Sequence, residues 1–184
     1  MNHSRTILTA AAVLAAALAS GGPVAGQAVA APDIKAAYLY NFAQFVEWPA
    51  AVLPPGAPLV LCIIEDTAVV DALVQTMKGR TVGGHGLTAV PLKTGAPLPT
   101  CHVLYVAGPD LKRALAVIET VKGSSVLTVS DAEHFARTGG MVELFLDKGR
   151  MRFAVNVDAL ERGRIRLSSR VLALATIVRD GRSQ

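Results

Sequence analysis

Three short runs constrain the fold of this chain more than anything else in its sequence: LVLCIIE at 59–65, CHVLYVAG at 101–108 and SSVLTVS at 124–130. Each is a nearly continuous apolar stretch with β-branched residues, short for a helix and lacking the strict alternation of a half-exposed strand. Strands that read this way are buried on both faces, the condition of a parallel sheet with helices on either side. The segments after the first two runs agree. DTAVVDALVQTMKG reads as a helix capped at Asp66 or Thr67 and ended at Gly79, and a second helix runs from about Pro109 to Val121. RTVGGHGLTAVPL reads as two short strands around a Gly-Gly turn, and GGMVELFLDKGRMRFAVNV alternates as two strands around a turn at Asp147 to Gly149. A short helix is expected at DAEHFART. SSRVLALATIVRD, apolar at Val171, Leu172, Leu174, Ala175 and Val178, predicts a C-terminal helix. The expected fold is a single-domain α/β sandwich with a mostly parallel central sheet, an antiparallel edge hairpin and flanking helices.

Aromatic residues make up 5% of the chain, yet they crowd KAAYLYNFAQFVEWPA at 35–50. Asp33 can cap a helix whose positions Ile34, Ala37, Tyr38, Asn41, Phe42, Phe45 and Val46 recur at three and four, and Pro49 stops it. The aromatics share the buried face of that helix. A platform for stacking bases needs them exposed, so the spacing predicts a core helix laid on the sheet.

Residues 1–30 carry one cation, Arg5, an Ala- and Leu-rich run from Ile7 to Ala19, a Gly/Pro break and the small-x-small triplet Ala28-Val29-Ala30. That pattern is a secretory signal peptide, expected to be cleaved near Ala30. The apolar run falls short of the ~20 residues a membrane span needs. The expectation is an exported domain at 31–184 without stable membrane insertion. Its formal charge falls from +4 to +3 once Arg5 is gone.

The site chemistry that strand-helix alternation invites is missing. The first strand-helix turn, IIEDTA, has no glycine and carries two acids, which repel phosphate, and GRTVGGHG fits neither dinucleotide nor P-loop spacing. Ser130, Asp131 and His134 sit together, but Ser130 and Glu133 have the spacing of a capping box, and no GxSxG elbow occurs. Cys62, Cys101 and His102 offer three zinc ligands only if His102 leaves the face opposite to its neighbour's. No catalytic residue, metal or cofactor is expected. A small solute, were one bound, would lie at the carboxyl edge of the sheet near Asp66 or Ser130.

Two features remain. Cys62 and Cys101 are the only cysteines, an even count suited to a disulfide in an exported protein. Neighbouring parallel strands lie about 4.8 Å apart, within the Cα range of a bridge. Such a bridge, closing a loop of 39 residues, contributes roughly 2 to 4 kcal/mol. The alternative is two small buried hydrophobes. Arg150, Arg152, Arg162, Arg164, Arg166 and Arg170 crowd the last third, as a solvated face or as a patch that steers toward something acidic. Without aromatic interleaving, nucleic acid is not expected.

KAAYLYNFAQFVEWP, LVLCIIED, CHVLYVA, VLTVSD, GGMVELF, RFAVNVDAL and LSSRVLALA together resemble the YfiR family of periplasmic proteins, over about Ile34 to Ile177. The resemblance implies a small, often dimeric α/β protein that binds the periplasmic sensor domain of an inner-membrane diguanylate cyclase of the YfiN type and holds it inactive. Release on envelope or redox stress then raises cyclic di-GMP and promotes biofilm formation. It implies no catalytic residues, and it maps the family's inter-strand disulfide onto Cys62 and Cys101. The chain lacks the second cysteine pair of some relatives, and Ala154 stands where relatives often carry an acid. For partner contact the expected residues are Val142 and Leu160, with Arg152, Arg162, Arg164 and Arg166 as a charged rim.

Overall fold

The computed structural model describes residues 31–180, so the expected leader at 1–30 and the end of the chain at 181–184 lie outside the described residues. The first element is the helix α1 (Ala31–Phe45), which begins two residues before Asp33 and ends earlier than Pro49 demands. Val46–Glu47 (β1) leaves the helix to pair antiparallel with β9 (Arg166–Leu167), Val46 opposite Leu167. Main-chain pairing thus takes the two residues that apolar spacing had assigned to the helix.

The three buried runs form β2 (Leu59–Ile64), β5 (Val103–Val106) and β6 (Leu127–Ser130), side by side and parallel. Between β2 and β5 the chain makes α2 (Thr67–Met77), β3 (Thr81–Val82) and β4 (His85–Leu92). β4 lies parallel to β2 on its other side. After β5 comes α3 (Leu111–Glu119), and after β6 the hairpin of β7 (Val142–Asp147) and β8 (Arg150–Asn156). The hairpin turn holds Lys148 at φ 49° and Gly149 at φ 75°, the paired left-handed residues a two-residue turn requires. The helix α4 (Val157–Arg162) follows. The eight-stranded sheet runs β3-β4-β2-β5-β6-β7-β8-β10, where β10 is Thr176–Val178.

Alternate residues of each buried strand serve different layers. Leu61, Ile63, Val103 and Tyr105 face the side covered by α1 and α2, whereas Cys62, Ile64, Leu104 and Val106 join Ala114 and Val117 of α3 on the other. Burial on both faces is why these runs are uniformly apolar. Asp66 caps α2 by accepting the Val69 N–H (3.0 Å), Asp110 caps α3 through Arg113 N–H (3.0 Å), and Asn156 caps α4 through Ala159 N–H (3.0 Å).

Two expectations are corrected. The C-terminal segment is a four-residue helix, α5 (Ser169–Leu172), followed by β10, which joins β8 in parallel and so covers the hairpin that was expected at the sheet's edge. The segment DAEHFART holds only a 3-10 turn at Ala136–Thr138. His134 at φ 67° cannot continue a helix, and Ser130 Oγ accepts the Ala132 N–H (3.1 Å) in place of that of Glu133, so the capping box does not form.

Candidate functional site

The disulfide forms. Cys62, inside β2, and Cys101, on the approach to β5, are bridged with their Cα atoms 5.8 Å apart, both buried among the residues under α3. His102 turns the other way, as strand alternation requires. It is 2% exposed; its Nδ1 accepts the Val60 N–H (3.0 Å), its Nε2 faces Val52 O (3.3 Å), and the edge of Trp48 meets its ring at 5.8 Å. Burial is the main cause that holds its pKa below the ordinary 6.5, with the charge of His85 acting the same way against the Val52 contact. Among the described residues no cluster of three potential metal ligands exists.

The carboxyl edge of β2, β5 and β6 is where strand order reverses and where open α/β sheets hold ligands. Lys35 reaches across from α1 to Asp131 (2.6 Å) and stands 3.9 Å from Asp66. Each carboxylate also accepts a backbone N–H, Asp131 from Gly108 (2.7 Å) and Asp66 from Val69. The ammonium thus fills the gap between the two acids and ties the first turn of α1 to the sheet. Tyr105 lies beneath, with Lys35 Nζ 5.8 Å from its ring centre; burial first, and then the two carboxylates, push its hydroxyl far above the ordinary phenol range. Ser130 and His134 are not joined: the serine is committed to Val106 and Ala132, and the exposed imidazole lies 3.7 Å from Glu133.

At the hairpin end the cations and the apolar residues separate. Arg152 is exposed on β8, on the face opposite to Phe153; Arg164 is exposed at φ 54°, and Arg166 is exposed on β9 across from Glu47. None of the three enters an ion pair among the described residues, whereas Arg162 is bonded to Asp180. That bond and one from Asn156 Nδ2 (2.7 Å) hold the Asp180 carboxyl below its ordinary 3.8. Val142 and Leu160, expected as apolar contacts, are 0% and 5% exposed. β7 is an interior strand, and α4 turns Leu160 into the core, so neither offers side-chain surface to a partner.

The large apolar residues that do face solvent are elsewhere: Val74 on α2 (47% exposed) and, toward the C-terminal end of the sheet, Leu146 (70%), Leu174 (74%) and Ile177 (44%). By register Leu146 lies opposite Met151 and Ile177 beside Val155, which puts both on the face that α1 covers further along through Tyr38, Phe42 and Phe153. The period-two spacing of Val142, Leu144 and Leu146 is the signal that could have placed Leu146 on the inward face, although the apolar Phe145 between them blurs it. Nothing in the sequence marked Ile177, because its segment read as a helix.

A protein-family model described as YfiR/HmsC-like matches residues 32–176, which span α1 to the first residue of β10. The chain belongs to the YfiR/HmsC-like family. This is a family of periplasmic, non-catalytic regulators of diguanylate cyclase signalling. The matched span holds the bridge, the clustered charges of Lys35, Asp66 and Asp131, and the hairpin. No helix among the described residues of this YfiR/HmsC-like chain is long and apolar enough to cross a membrane.

Proposed function

We propose that this chain works in the periplasm as a binding regulator: it engages the periplasmic sensor domain of an inner-membrane diguanylate cyclase, holds the enzyme inactive, and releases it on envelope or redox stress. Cyclic di-GMP and biofilm formation then rise. The observation that carries this reading is the family match over residues 32–176. A regulator of this kind needs surface, not chemistry. The exposed Leu146 and Ile177 supply an apolar contact on the face that α1 covers, and Arg152 on the opposite face, with Arg164 and Arg166, all three unpaired among the described residues, supply charge that steers association. Arg162 is spent on Asp180 and is assigned no contact. Both sulfurs of the bridge are buried, so a reductant reaches them only after local opening.

The test is a titration of the purified domain against the periplasmic sensor domains of membrane diguanylate cyclases, over a range of salt and with the bridge oxidised or reduced. The expected result is tight binding to one sensor domain, weakened at high salt, and weakened tenfold or more by the triple charge reversal R152E/R164E/R166E; at ~1.4 kcal/mol per decade that is a small share of a typical interface. Binding unchanged by the triple reversal at every salt concentration sinks the rim assignment. Absence of binding to every sensor domain sinks the regulator reading and moves the assignment to a solute-binding module.

A further inference from the structure

The segment 49–58, between β1 and β2, rests on the core through Leu53 and makes two side-chain hydrogen bonds to the sheet, each through a histidine. Near its end, His85 Nδ1 bonds Ala57 O (2.7 Å). A carbonyl accepts only, so Nδ1 of His85 carries a proton, and it does so in the neutral and in the charged ring alike. That contact survives acid. Near its start a ring N–H again faces a carbonyl of the segment, Val52 O, a contact that favours the charged ring, but here the second ring nitrogen is engaged as well. Val60 N–H is a donor aimed at His102 Nδ1, so Nδ1 must be bare and the ring's one proton sits on Nε2, facing Val52 O. A second proton on His102 has one place to go, Nδ1, where it meets the Val60 N–H head-on and breaks that bond.

The backbone of His102 cannot retreat to relieve the clash. Its N–H donates to Val60 O (2.8 Å) and its carbonyl accepts from Leu127 N–H (2.8 Å), while Cys101 beside it is bridged to Cys62. The side chain and the groups its ring touches must move instead: the Trp48 ring, and Val52 at the head of the turn that starts at Pro49. The surroundings contribute no stabilising charge. Val60 from β2, Val52 from the segment and Trp48 are uncharged, and His85 from β4, the group that acts on the ring through its charge, opposes a second cation.

We propose that His102 is an acid-sensitive clasp: its protonation releases the 49–54 end of the segment and uncovers Trp48, while the His85 tie at Ala57 holds as the pivot. The clasp is built from this chain alone and works with or without a cyclase partner. Burial places the transition below the ordinary histidine value of 6.5.

Trp48 is the chain's single tryptophan and reports on the clasp directly. Its emission wavelength and its quenching by acrylamide are followed from about pH 8 to about pH 5, the span over which a histidine changes charge. Far-ultraviolet circular dichroism is recorded alongside to show that the sheet persists. Intensity alone is not used, because an imidazolium in contact with indole quenches it without movement. The expected result is a red shift and a several-fold larger quenching constant below the transition. His102→Asn, whose amide can still accept from Val60 but does not titrate, should lose the pH dependence. An unchanged wavelength and accessibility in the wild type, or the same acid shift in His102→Asn, overturns the proposal. Should that variant fail to fold, long-range 1H–15N spectra of the wild type decide. The Nε2–H tautomer at neutral pH and a Val60 amide shift that follows the His102 titration support the clasp, and an Nδ1–H tautomer or an indifferent Val60 amide refutes it.

Discussion

Gly140 and Gly163 are both places where a Cβ would strike a neighbour, but the neighbours differ. At Gly140 the obstacle is the ring of Phe135, which is fully buried; at Gly163 it is the terminal methyl of Met141, the soft end of a long side chain. Gly140→Ala is therefore expected to cost about 1 to 3 kcal/mol as an overpacked core, with Gly163→Ala below it. Urea melts of the two variants check the order. Asn156 carries more. Fully buried, it caps α4 with its oxygen and donates to Ala136 O (2.7 Å) and Asp180 with its nitrogen. Asn156→Ala removes the cap and leaves the Ala136 carbonyl without its donor, an expected loss of about 2 kcal/mol or more. It should also raise the Asp180 pKa back toward 3.8, read by carbon NMR of the carboxyl. The sign comes from linkage: a depressed carboxylate stabilises fully above its ordinary value and loses that contribution as pH falls through the lowered one. The two donor contacts were not legible in RFAVNVDAL, because they reach partners 20 and 24 residues away, whereas the cap is local.

Elements were legible where local pattern and tertiary pairing agree. The three apolar runs became β2, β5 and β6 because burial on both faces leaves a mark in composition. The hairpin turn was visible because Lys148 and Gly149 must adopt left-handed backbone. The C-terminal segment misled for the opposite reason: apolar residues at 171, 172, 174, 175 and 178 suit a helix, but the free flank of β8 offers Thr176–Val178 a row of main-chain partners that spacing cannot reveal. At this scale α1 is held by an aromatic trio, in which Phe153 stands edge-on to Phe42 (5.3 Å) and to Tyr38 (5.7 Å). Phe153→Ala should destabilise by about 3 to 5 kcal/mol, since the cavity opens between a helix and an interior strand. Thermal unfolding measures it. A change below about 1 kcal/mol, small beside the usual cost of such truncations, would mean that α1 is anchored chiefly by Lys35.

For the whole molecule, the cation excess is spread unequally between bound and free groups. The clustering of arginines in the last third was plain from the sequence, but which of them are available was not, because the acids that engage Arg162 and Arg179 come from the segment after β10 and from α4. The apolar surface was legible only in part: alternation placed Val142 and Leu146 on one face of β7, and the depth at which the sheet buries them separated the two. Binding through free surface arginines should weaken as ionic strength rises past the point where the screening length falls below about 10 Å. The charge-reversed variant should show a flatter salt dependence.

The bridge has a topological consequence. Cys62 and Cys101 turn the chain from β2 through α2, β3 and β4 into a closed covalent ring, and the exposed stretch 93–100 lies on its circumference. A ring cut once stays one molecule. Tryptic cleavage after Lys93 should leave a species that runs as a single chain without reductant and separates into two fragments with it. The β2–β4 pairing lies within one fragment and the β2–β5 pairing joins the two, so the nicked protein should still melt cooperatively until the sulfurs are parted.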